Sequence, residues 1–161
     1  MKTTKIPTLN LYPSERQALR NAKIKISEIS DYALDELEMI LDATSERVKT
    51  IRALAEFQTI PSVGIKFAED LIFLGFYSLD ELKSEDGAKL LEAFERKKGY
   101  ATDPCVEDQF RLVVAFAKNP RQDLNWWDFT QERKKYRLEN GYPPDRPQTV
   151  WHQVIPIQSR K

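Results

Sequence analysis

Residues 104–118 read PCVEDQFRLVVAFAK, and past the first turn this stretch has almost no polar face. Phe110, Leu112, Val113, Val114, Ala115, Phe116 and Ala117 would wind around a helix on nearly every side. Apolar surface of that breadth has to be covered all round, so the helix belongs at the centre of a domain built from other helices. Its start is marked by Asp103 as cap and Pro104 at the first helical position, and its first turn is polar, with Glu107 and Asp108.

The rest of the chain supplies those other helices. Helical patterning begins around Pro13-Ser14-Glu15-Arg16. Leu34, Leu37 and Leu41 mark one apolar face, and Val48, Ile51, Leu54 and Ala55 mark another. Gly75 and Gly99 read as helix stops, the second with Lys97-Lys98 in the last turn before it. A further helix is expected across Trp126–Leu138. No alternating strand pattern of useful length occurs, so the fold class is all-α: one compact helical domain over residues 13–140. Residues 1–12 read as a flexible arm, and 141–161 as an extended Pro-rich tail whose Trp151 and Ile155 pack on the body.

Tyr32-Ala33-Leu34-Asp35-Glu36-Leu37 returns as Tyr77-Ser78-Leu79-Asp80-Glu81-Leu82 with one substitution. Ser78 and Glu81 have capping-box spacing, in which each side chain satisfies a free amide at the helix start. Ala33 breaks the box in the first copy, where Asp31 is an alternative cap. The match reads either as convergent helix-start chemistry or as two related units about a pseudo-twofold.

Basic and acidic side chains cancel at 25 each, within a charged fraction of 31%, so any nucleic-acid contact must come from a local patch. The hydrophobic fraction, 41%, is enough for a real core and argues against a disordered chain. Cys105 and His152 are the only residues of their kinds, which rules out an internal disulfide and an ordinary Cys/His zinc site. No metal or other cofactor is expected. The start of the chain lacks the apolar run of a secretory signal, and no apolar run is long enough to span a bilayer, so the expected setting is the cytoplasm, with no membrane contact.

One stretch carries functional information: Ile60-Pro61-Ser62-Val63-Gly64-Ile65-Lys66-Phe67-Ala68-Glu69-Asp70-Leu71. Pro61 fixes one backbone angle and Gly64 is able to take a positive φ, so a sharp turn between two helices is expected. The amides around Val63, Gly64 and Ile65 would then lie unpaired at a helix N-terminus, which favours an anion, with Lys66 adding charge. These residues resemble the helix-hairpin-helix motif, hydrophobic-Pro-Gly-hydrophobic-Gly followed by lysine and alanine, here Lys66 and Ala68. The resemblance implies that Ser62, Val63, Gly64, Ile65 and Lys66 hold DNA phosphates without reading sequence. Ser62 stands where the motif has its first glycine, and its side chain would crowd an approaching backbone.

The resemblance extends over roughly residues 25–130. The run from Arg47-Val48-Lys49 through Gly64, then Asp103-Pro104-Cys105-Val106 and Trp126-Trp127-Asp128, is similar to the bacterial pathogenicity-locus family of helix-hairpin-helix proteins. Some members of that family carry mitomycin-resistance-type names. Membership implies a small SAM-like helical scaffold, a link to DNA repair or damage resistance, and no established catalytic residue.

Other candidates have plainer explanations. Arg47 or Lys49 could reach a phosphate from a second, glycine-free turn at residues 41–47, but Asp42 and Glu46 would repel it. Arg96-Lys97-Lys98 finishes a helix. Arg133-Lys134-Lys135-Tyr136-Arg137 is a nucleic-acid surface or, more simply, a solvated helix face. Trp126, Trp127 and Phe129 are expected to dock on the core, Cys105 to be a buried structural thiol, and His152 to lie on the surface. Asp103, comparable with the aspartate of helix-hairpin-helix glycosylases, is explained as a cap. The expectation is a non-catalytic protein that binds DNA weakly and without sequence preference through Ser62–Lys66. The rival expectation keeps the fold and makes it a protein-interaction module.

Overall fold

The computed structural model describes residues 5–154. Helices dominate, and no β-strand occurs among the described residues. The chain forms two compact units, Met1–Glu81 and Leu82–Lys161.

The first unit contains α1 (Pro13–Asn21), a 3₁₀ turn (Ile26–Asp31), α2 (Leu34–Leu41), α3 (Ser45–Phe57) and α4 (Ile65–Phe73), with the single turn α5 (Leu79–Leu82) at its boundary. Its hub is α3, which packs on α2, α4 and the 3₁₀ turn. Thr44 starts α3 by accepting the Arg47 N–H at 3.1 Å. The apolar face expected on this helix is buried in full: Val48, Ile51, Leu54 and Ala55. On α2, Leu37 and Leu41 are buried whereas Leu34, its first residue, stays exposed.

Glu15 is a buried acid on α1, where burial of a lone charge would be costly. Arg47 answers it with two bonds, Nε to Oε2 at 2.9 Å and Nη2 to Oε1 at 2.8 Å. That pairing holds the Glu15 carboxyl below the usual carboxylate range. The arm expected to be loose is fastened over residues 5–11. Gln58 is buried, and a buried amide must use both its donor and its acceptor. It does so on one residue, accepting the Thr8 N–H at 3.0 Å and donating to the Thr8 carbonyl at 2.8 Å. Leu9 and Leu11 are buried alongside.

The repeated hexapeptides share only their helix starts. Glu81 accepts the Tyr77 N–H and Ser78 Oγ accepts the Glu81 N–H, both at 3.4 Å. In the first copy Glu36 accepts the Ala33 N–H at 3.1 Å, and alanine has nothing to return. Beyond the start α2 runs to Leu41 while α5 stops at Leu82.

The second unit contains α6 (Gly87–Lys98), α7 (Cys105–Lys118), a 3₁₀ turn (Trp126–Phe129), α8 (Thr130–Asn140) and the short α9 (Trp151–Val154). Its centre is α7, which packs on α6, the second 3₁₀ turn and α8. Phe110, Leu112, Val113, Val114, Phe116 and Ala117 are all buried, as the breadth of the apolar surface requires. The polar first turn is buried too: Glu107 and Asp108 have no exposed surface. Arginines from the C-terminal half make this possible. Arg133 Nε donates to Asp108 at 2.7 Å, Arg137 Nε to Glu107 at 2.8 Å, and Arg111 Nη2 to Glu107 at 3.0 Å. Arg137 Nη1 also reaches Glu92 at 2.9 Å, and Arg146 Nε reaches the buried Glu95 at 2.8 Å.

The expected Trp126–Leu138 helix is thus a 3₁₀ turn followed by α8. Residues 141–150 are held at several points. Tyr142 lies under the guanidinium groups of Arg137 and Arg146, at 4.2 and 3.6 Å from its ring centre. Ala101 pairs with this segment in strand fashion: its N–H donates to the Thr149 carbonyl at 2.8 Å, and its carbonyl accepts the Trp151 N–H at 2.7 Å. Trp151 is half-buried; Ile155 lies outside the described residues.

Candidate functional site

The turn between α3 and α4 is built on two apolar anchors, Ile60 and Val63, both without exposed surface. The Val63 N–H donates to the Ile60 carbonyl at 3.2 Å and closes a four-residue turn. Pro61 occupies its second position, and Ser62, at the third, has φ +62°. Proline followed by a residue of positive φ is the type II arrangement, which ordinarily places glycine third.

The left-handed residue of the turn is therefore Ser62, whereas the sequence pointed to Gly64. Gly64 is extended, with φ −100° and ψ −172°, and serves as the N-cap of α4. The closing bond from Val63 to Ile60 puts the reversal one residue after Pro61, so Ser62 must absorb it. Serine tolerates this through a local bond, its Oγ donating to the Pro61 carbonyl at 2.6 Å. The cost of holding an L-residue there is roughly 1–2 kcal/mol. Ser62→Gly should raise the melting temperature by a few degrees, the relief of about 1 kcal/mol being partly offset by a more flexible unfolded chain. Ser62→Val, branched at Cβ, should lower it by a larger amount. Thermal melts followed by far-UV circular dichroism test the pair; a fall for both would mean that Ser62 is not strained.

Gly64 is required neither by its backbone angles nor by packing, since a Cβ there would meet nothing within 4 Å. What its missing side chain leaves is open space before the first turn of α4. No acceptor among the described residues meets the N–H groups of Gly64, Ile65 and Lys66. Such groups are the donors that a helix leaves unsatisfied at its start, and they carry the positive end of its dipole. The Lys66 side chain is exposed beside them, with Glu69 exposed one turn on. The arrangement can accept an anion at the open face of Gly64. On its other side, the carbonyls of Ile60 and Val63 take hydrogen bonds from the Lys5 ammonium. Burial lowers the pKa of that ammonium.

The remaining cationic candidates are largely committed elsewhere. Arg47 is bound to Glu15 and stacked 4.4 Å over the Tyr12 ring, and Lys49 lies 4.1 Å over the ring of Tyr77. In the run 133–137, Arg133 and Arg137 belong to the buried acids of α7, which leaves Lys134 and Lys135 exposed. Nothing local in the sequence distinguishes the committed arginines from the exposed lysines; their partners lie 25 and 30 positions away.

A family model described as a pathogenicity locus matches residues 50–135, just over half of the chain. The chain belongs to the pathogenicity locus family. The span shared with the family runs from within α3 to within α8. It includes the Ile60–Lys66 turn and Glu107, Asp108 and Arg133; Lys5, Gly141, Arg137 and Arg146 lie outside it. No curated protein and no solved structure matches the chain.

Within the family span, the aromatic turn packs on α7, the docking expected of it, although Trp127 does not share in the burial. Trp126 and Phe129 are half-buried, whereas Trp127 is 55% exposed and meets Trp126 edge-on at 5.5 Å. Cys105 is exposed instead of buried, since it lies on the outer side of the first turn of α7. Partial burial and the neighbouring Asp103 carboxylate push its thiol pKa up, opposing the helix dipole. Asp103 caps the helix as expected, accepting the Cys105 N–H at 2.8 Å. His152 is exposed, edge-on to Trp151. Among the described residues no cluster of His, Cys, Asp and Glu is able to hold a metal ion, and no helix is long and apolar enough to cross a membrane.

Proposed function

We propose that this protein binds the phosphate backbone of DNA, weakly and without reading sequence, through Ser62–Lys66. One observation carries the reading: three N–H groups without partners among the described residues, at Gly64, Ile65 and Lys66, open onto space that a side chain at Gly64 would narrow. An exposed lysine beside them supplies the charge that amides alone lack. The residue order from Ile60 to Ala68 supports the same reading, since it resembles the helix-hairpin-helix motif. The family's description names a genetic setting and leaves the chemistry to the site. A role in DNA repair or damage resistance, mitomycin resistance included, extends the reading to biology. It assigns no catalytic residue and no cofactor.

Two or three phosphate contacts predict a log–log salt dependence with a slope of about −2 to −3 on duplex DNA. Labelled duplex, nicked and single-stranded DNA are to be titrated at several salt concentrations with the wild type and with Lys66→Glu. The charge reversal should weaken duplex binding at least about tenfold at low salt. Equal binding by the two proteins, or none by the wild type at low salt, removes DNA from the reading. The rival, a protein-interaction module, draws support from the exposed Trp127 and would then stand first.

A further inference from the structure

The α3–α4 turn has a carbonyl side as well as an amide side, and the N-terminal segment occupies it. The Lys5 ammonium donates to the carbonyl oxygens of Val63 and Ile60, the latter at 3.5 Å. Three residues on, both backbone groups of Thr8 are clamped by Gln58, the first residue after α3. Leu9 and Leu11 are buried behind them. Residues 5–11 are thus tied to the turn by a charge, by an amide clamp and by two apolar anchors.

We propose that residues 5–11 form a strap that sets the shape of this turn, with Lys5 as the positioning residue for the outward N–H of Gly64. The geometry follows from peptide planarity. The Val63 carbonyl and the Gly64 N–H belong to one peptide unit, and in a trans peptide they point in opposite directions. Anchoring the oxygen on the Lys5 ammonium therefore aims the N–H to the opposite side, at the open face. A charged donor on the oxygen also polarises the unit and strengthens the N–H as a donor. Ser62 gives the strap something to resist. A non-glycine residue at positive φ persists only where its surroundings hold it, and Ser62 lies between the two carbonyls that Lys5 binds. The part of the proposal that concerns affinity rests on the phosphate reading; the part that concerns shape does not.

The test uses the full chain with Lys5→Met and Lys5→Arg. In ¹⁵N–¹H NMR spectra Lys5→Met should shift the Gly64 signal and speed exchange of the Val63 amide about tenfold, while the melting temperature holds. Lys5→Arg, which keeps a charged donor, should restore both. On low-salt duplex DNA, Lys5→Met should weaken binding about fivefold with the salt slope unchanged, because no phosphate contact is lost. A Gly64 signal and Val63 exchange indifferent to Lys5→Met would overturn the strap. A slope shallower by about one would overturn the positioning role, since Lys5 would itself be touching a phosphate. If the wild type binds no DNA while the NMR changes occur, the strap stands and the phosphate reading falls.

Discussion

Arg137→Met should destabilise the second unit by about 3–5 kcal/mol, because it strands carboxylates in the interior. Arg137 is 7% exposed and donates to Glu107 at 2.8 Å, to Glu92 at 2.9 Å and to the Gly141 carbonyl at 3.0 Å. Methionine keeps much of the volume and none of the donors. Glu107, with no exposed surface, would retain Arg111 on one oxygen and lose the partner of the other. Glu92 would be left with Lys89 at 3.6 Å. All three tryptophans, at 126, 127 and 151, belong to the second unit, so urea unfolding followed by tryptophan fluorescence reports on that unit. The cost should lie in the stranded charge and not in the pair as such. Adding Glu107→Gln to Arg137→Met should therefore return part of the loss, a coupling of about 1–3 kcal/mol. A loss below about 1 kcal/mol for the single variant would put the cluster in the class of solvent-screened surface pairs and refute a buried lock.

This lock also explains why equal numbers of acids and bases said so little about the chain. Neutral charge reads from sequence only as the requirement that any nucleic-acid contact come from a local patch. Part of the balance is in fact buried pairing between residues 25 to 51 positions apart, and no local rule reports which arginine meets which acid. What was legible was whatever local chemistry decides. The breadth of apolar surface on 110–117 placed α7 at the centre of its unit, and Asp103, Gly99 and the Ser78–Glu81 pair mark helix ends because caps act within a turn. Local reasoning failed where a distant partner decides. The Ser62 turn is a separate case: its bond, Val63 to Ile60, is local, but where that bond closes decides that Ser62 and not Gly64 takes the positive φ. Residues 5–11, without a clear period, gave no sign of docking, because the partner of Thr8 is a glutamine fifty positions on.

Gly87 had no reading at all, and it carries the other large prediction. It is the first residue of α6, buried, with Asp86 capping the helix through the Lys89 N–H at 3.1 Å. Inside a helix alanine ordinarily gains about 0.5–1 kcal/mol over glycine, and at its first residue a smaller gain of the same sign is the ordinary expectation. Here a Cβ would lie 2.7 Å from Arg111 Cγ, 2.8 Å from its Cα and 2.9 Å from its backbone nitrogen. The Cγ could turn away, but the other two atoms are the backbone of α7. Relief would require α6 and α7 to move apart, against packing that includes Phe94 and Phe110 with ring centres 5.5 Å apart. Gly87→Ala should therefore cost about 2–3 kcal/mol, reversing the usual sign. Urea midpoints from tryptophan fluorescence measure it. A midpoint at or above that of the wild type would mean that the two helices separate freely, and that the closeness of α6 to α7 at Gly87 is not what the packing of the second unit depends on.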